Sequence, residues 1–127
     1  MSKLEHNKQT VIGFYTRAFN DRQPVDAVAM YVGTPYIQHS PMAHDGAEAF
    51  IQFVTGFVAQ FPHLSVDIKR VIAEGELVVT HSLFKLSPED RGTAAADIFR
   101  LRDSRIVEHW DILKPVPETS ANDNTMF

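Results

Sequence analysis

The chain has 127 residues, enough for one domain with a sizeable core and too few for two. Its 44% apolar and 22% charged residues are a globular composition, and a net charge of -4 argues against nucleic acid or an anionic membrane surface as partner. Cysteine is absent, which excludes disulfide and thiol chemistry. No apolar run is long enough to span a membrane, and the start MSKLEHNKQT lacks the apolar core of a signal peptide, so a cytoplasmic protein is expected.

Ser2-Lys3-Leu4-Glu5 has capping-box spacing, and Leu4, Val11, Ile12, Tyr15, Ala18 and Phe19 then recur at helical intervals. The spacing predicts a helix over residues 3–20. Asn20-Asp21-Arg22-Gln23 breaks it, and Pro24 suits the first turn of a second short helix ending at Tyr31. Gly33-Thr34-Pro35 ends that helix, and Tyr36-Ile37-Gln38-His39 reads as extended. Asp45 stands at cap spacing before a third helix. Phe50, Phe53, Val54, Phe57 and Phe61 make it the most amphipathic of the three, with an aromatic side suited to cover a sheet, and Pro62 closes it.

From Leu64 the period changes to two. Residues 64–73 and 77–86 flank Glu74-Gly75-Glu76, a hairpin turn, and residues 87–93 form a polar loop. Residues 94–102 and 105–113 flank Asp103-Ser104, a second hairpin turn. Helices followed by four long strands indicate an α+β domain over 1–114: a curved, mostly antiparallel sheet with the N-terminal helices packed over its concave face. Such a cone encloses an apolar cavity of the kind that takes a small molecule. The tail 115–127 is polar and Pro-punctuated, and is expected to be flexible or to lie on a partner subunit.

On the hairpin of residues 94–113, Asp97 shares a face with Phe99 and Leu101, so an inward face would carry a carboxylate. Buried carboxylates are costly unless paired, and they concentrate at functional sites. Strict alternation groups Ile106, Glu108, Trp110 and Ile112 against Val107, His109, Asp111 and Leu113. With Trp110 taken as pocket wall, His109 and Asp111 fall on the outer face unless a bulge inverts the strand. On the strand 77–86, His81 shares a face with Val79 and Leu83, and that face is taken as inward.

The segment ADIFRLRDSRIVEHWD, with YIQHSP and the capped helix after it, resembles the SnoaL-like polyketide cyclases of the NTF2-like superfamily. The resemblance runs from about Lys3 to Lys114. It implies the NTF2-like cone and a cofactor-independent acid/base enzyme of aldol cyclase, isomerase or dehydratase type, acting on a small hydrophobic carbonyl compound. In these cyclases a pocket Asp is the general acid/base and a nearby His helps to hold the substrate. The matching positions are Asp97 and His81, the expected catalytic pair. A homodimer through the outer sheet face is also expected. The superfamily equally contains non-catalytic ligand-binding domains, which is the alternative reading.

Tyr15, Gln38, His39, Phe53, Phe57, Phe99 and Trp110 complete the expected substrate pocket. Six His and many carboxylates raise the question of a metal, but no pair has the His-x3-His spacing of a helical zinc motif, so none is expected. Ala95, two before Asp97, is not the Arg of the Asp-Arg-Asp set on which related epoxide hydrolases rely.

Overall fold

The structure is a computed structural model that describes residues 1–127. Three helices, α1 (Lys3–Tyr15), α2 (Pro24–Tyr31) and α3 (Ala47–Gln60), pack against one five-stranded sheet. The strands are β1 (Val32–Gln38), β2 (Ser65–Glu74), β3 (Leu77–Lys85), β4 (Thr93–Arg102) and β5 (Arg105–Pro115), in spatial order β1-β5-β4-β3-β2. Only the β1–β5 pair is parallel. The domain is therefore α+β with a mostly antiparallel sheet, as the change of period predicts.

Ser2 caps α1, its hydroxyl accepting from the Glu5 N–H at 3.1 Å. The predicted single helix over 3–20 instead changes pitch after Tyr15. Thr16–Asn20 is a π-helical turn closed by the Asp21 N–H to the Thr16 carbonyl at 2.9 Å. Asn20 then takes the place of a missing sheet neighbour for the edge strand β2. Its side-chain amide donates to the Val66 carbonyl and accepts from the Val66 N–H, both at 2.9 Å. Gly13 lets α2 come close, for a Cβ there would lie 2.5 Å from the Tyr31 hydroxyl.

Asp45 does not cap α3. Its carboxylate accepts from the Gln38 N–H at 2.8 Å, tying the end of β1 to the loop, and Gly46 takes the cap position with a φ of 95°. The hairpin turns are those expected. Asp103 and Ser104 have φ of 53° and 64°, the left-handed pair that a two-residue turn between twisted strands requires.

The core fills the space between α1, α3 and the inner sheet face, with Val11, Phe14, Val54, Val78, Phe99, Leu101 and Ile106 essentially inaccessible. Two strands depart from simple alternation. On β3 the inward residues are Val78, Thr80 and Ser82, so Val79, His81 and Leu83 face outward. The inner positions carry small hydroxyls and the outer ones apolar groups, the reverse of the usual pattern. On β5 an extra residue intervenes, because Leu101 pairs with Ile106 but Arg100 pairs with Glu108. This bulge at Val107 lets Ile106 and His109 both face inward, and beyond it Trp110 and Ile112 face outward.

The tail is laid on its own sheet. The Phe127 carbonyl accepts from Arg70 at 2.7 Å, and the Phe127 ring stacks on His81 at 5.7 Å. No helix is long and apolar enough to cross a membrane.

Candidate active site

A cavity of about 340 Å³ lies between α3 and the inner sheet face. Phe53 and Phe57 of α3, with Phe61 just past its end, face Phe19 and Phe84 across it. The aromatic stripe of α3 supplies this wall because residues three and four apart share one helix face. At one end the lining turns polar, with Tyr15, Gln38, Asp97, His109 and Asp111.

These five come from four elements. Tyr15 closes α1, Gln38 ends β1, Asp97 is on β4, and His109 and Asp111 are on β5. Asp97 is directly opposite Asp111, and Gln38 is in register with His109. Asp97 is 1% exposed and His109 4%. The Asp97 Oδ1 accepts from the Tyr15 hydroxyl at 2.7 Å and lies 2.7 Å from the His109 Nε2. The Tyr15 hydroxyl is also 3.1 Å from that nitrogen. On the other side of the imidazole, Nδ1 is 2.7 Å from the Gln38 Oε1.

The proton positions follow from this network. The Gln38 Oε1 also accepts from the Ser40 N–H at 3.1 Å, and a backbone N–H can only donate, so the oxygen of the amide faces that way. His109 must then carry a proton on Nδ1. Its Nε2 faces Oδ1 at a distance that needs one more proton between them. Tyr15 donates to the same Oδ1, so a single proton shared between Nε2 and Oδ1 joins His109 to Asp97. Burial, with the charge of Asp97 beside it, holds the Tyr15 hydroxyl well above the usual phenol range, so it remains a donor.

The second oxygen, Asp97 Oδ2, is buried and bonded to nothing in the protein. Leaving a carboxylate oxygen buried without a donor is costly for stability, and Oδ2 is the one buried oxygen of this cluster with no donor. Phe99 forms the base of the site. Its ring centroid lies 5.1 Å from that of Tyr15 and 5.0 Å from that of His109.

Of the residues expected from sequence, Tyr15, Gln38, Phe53, Phe57 and Asp97 line the cavity. Phe99 is behind it, in the core. Three are elsewhere. His81 is on the outer face against Arg70 and Phe127, where the reversed pattern of β3 puts it, and does not meet Asp97. Trp110 is outside because of the bulge and stacks on His39 at 4.8 Å. His39 accordingly leaves the site and pairs with Glu108 at 2.8 Å. The histidine beside Asp97 is His109, and Asp111 is inside rather than out. Alternation points to neither, because the bulge that re-aims them leaves no mark in the sequence.

Asp97, His109 and Asp111 are also the residues that could hold a metal ion, with one donor atom of each within 4.8 Å of the others. His109 Nε2 and Asp97 Oδ1 already bond each other at 2.7 Å, so a cation held by those two atoms would have to displace that hydrogen bond.

The sequence matches the SnoaL-like domain family over residues 11–109, and the chain belongs to that family. No curated protein matches it. Similar solved structures include a candidate polyketide cyclase from Acidithiobacillus ferrooxidans (TM-score 0.74, 22% identity, 89% of this chain and 91% of that one). IdmH, a candidate polyketide cyclase from Streptomyces antibioticus, superposes with a TM-score of 0.71 at 23% identity over 84% of this chain and 91% of its own. TsrD from Streptomyces laurentii gives 0.71 at 19% identity over 89% and 90%. At these identities the likeness is one of fold.

Proposed function

We propose that the protein is a cofactor-independent acid/base enzyme acting on a small hydrophobic carbonyl compound. The observation that carries this reading is the unbonded Asp97 Oδ2, at the polar end of a cavity otherwise walled by aromatic rings. A ligand lying against Phe53 and Phe57 presents a carbon next to its carbonyl to that oxygen. Asp97 takes the proton on Oδ2. Its Oδ1 then becomes a weaker acceptor, which frees the Tyr15 hydroxyl to hydrogen-bond the enolate oxygen. His109, oriented by Gln38, holds the Asp97 Oδ1 in place before the transfer. Aldol cyclisation, isomerisation and dehydration all begin with this step, and the resemblance to polyketide cyclases supports the first.

Deuterium uptake tests the reading without knowledge of the natural substrate. The α-hydrogens of β-tetralone, a bicyclic ketone suited to the cavity, are expected to exchange with deuterium oxide about 10³-fold faster with the protein than with buffer, as followed by proton NMR. Uptake at the buffer rate by protein saturated with the ketone would leave a binding domain.

The outer sheet face supports a second proposal, a homodimer. Ile72, Leu77 and Ile112 are exposed there at 60%, 42% and 74%, beside Ile98 and Trp110. Light scattering is expected to give twice the chain mass, and Ile112→Lys to halve it; a wild-type monomer at micromolar concentration contradicts the dimer.

A further inference from the structure

The mechanism above leaves one buried-side group without work. Asp111 reaches the same cavity end as Asp97 from the neighbouring strand, directly opposite it, and carboxylate oxygens of the two lie within 4.8 Å. The two acids are held differently. Asp97 receives the Tyr15 hydroxyl and the His109 imidazole on one oxygen. Asp111 has neither of those donors.

We propose that Asp111 is the general acid that works with Asp97, and that the substrate is a β-hydroxy carbonyl compound from which the pair removes water. The inference rests on the reading of Asp97 as base. Asp97 Oδ2 takes the hydrogen on the carbon next to the carbonyl, and the C–H electron pair becomes the new C=C bond. The C–O bond at the β-carbon breaks as Asp111 gives its proton to the departing oxygen, which leaves as water. Asp97 is then protonated and Asp111 ionised. One proton relayed from Asp97 to Asp111 through the released water, across no more than 4.8 Å, restores the starting state, so no co-reactant is consumed.

The chemistry needs two carboxyls whose proton affinities are pushed apart, one empty and one loaded. Burial pushes the Asp111 carboxyl above its ordinary range; His109 opposes this, the charge of Asp97 adds to it, and Ser40 offsets part through a hydrogen bond. The titratable groups facing Asp111 are Asp97 on β4, His109 on β5, Tyr15 on α1 and Tyr36 on β1. The helix α3 presents only phenylalanines to the cavity. Because the acid form of Asp111 is the active one, elimination should fall as pH rises through its titration.

The experiment uses 3-hydroxy-1-phenylbutan-1-one, whose dehydration gives a strongly absorbing enone, and the analogue with 4-nitrophenoxide in place of hydroxide, a leaving group that needs no proton. Wild type is expected to eliminate from both. Asp111→Asn is expected to lose about 100-fold on the hydroxy ketone together with the alkaline limb, and at least tenfold less than that on the nitrophenoxy ketone. Asp97→Asn is expected to lose both reactions. Equal losses of Asp111→Asn on the two ketones, or wild-type exchange of β-tetralone without elimination, would overturn the role of Asp111 and leave Asp97 as base. Absence of exchange as well as elimination in wild type would overturn both. Thermal melting guards against misfolding. A raised carboxyl destabilises the fold as pH climbs above 3.8, so Asp111→Asn should melt no lower than wild type at neutral pH.

Discussion

Asp97→Asn is expected to lower deuterium exchange of β-tetralone about 10³-fold while the protein still folds. Asn is the same size, and its carbonyl oxygen can accept from Tyr15 and His109 as Oδ1 does, so the Phe99 base and the strand pairing with Asp111 stay intact. What disappears is the unbonded oxygen that accepts the proton. Exchange rates and thermal melts on the same preparations check the result. A variant with wild-type exchange would remove Asp97 from the chemistry; one that fails to fold would assign it to structure, as the group that ties Tyr15 to His109.

Phe99→Ala is expected to be the most damaging change to stability, at about 3–5 kcal/mol, because it empties a site with no accessible surface. Phe99 packs edge-on to Tyr15 and Phe14 and lies under His109. Truncation would therefore loosen the two donors on Asp97 as well as the core. Urea denaturation measures the first effect and β-tetralone exchange the second. Phe99→Leu, which retains most of the volume, should recover most of the stability; if Phe99→Ala costs less than about 1 kcal/mol, the packing described around it is wrong.

Residue pattern and outcome part company where alternation stops being a guide to burial. The three helices, both hairpin turns and the cone were legible, because capping at Ser2, Pro24 at a helix start and the aromatic stripe of α3 act locally. Asp97 was legible because Phe99 and Leu101 mark its face. His81 and Trp110 were not. On β3 the outer face is apolar and the inner one carries Thr80 and Ser82, so the hydrophobic side is the wrong guide. On β5 one extra residue at Val107 re-aims everything after it, and nothing in that residue's own chemistry announces the bulge. The consequence for function is direct: the histidine next to Asp97 is His109, and a second carboxylate joins the site. The widening of the helix after Tyr15 was also hidden, since it is fixed by the contact of Asn20 with Val66 forty-six residues away.

Asp97 acts as base only if a ligand in the cavity reaches its unbonded Oδ2. A crystal structure with β-naphthol, a flat mimic of an enolate, tests it most directly. The rings are expected between Phe53, Phe57 and the polar end, with an atom of the ligand about 3–3.5 Å from Asp97 Oδ2. Naphthol bound outside the cavity, or Oδ2 bonded to a protein group with the ligand in place, would contradict it.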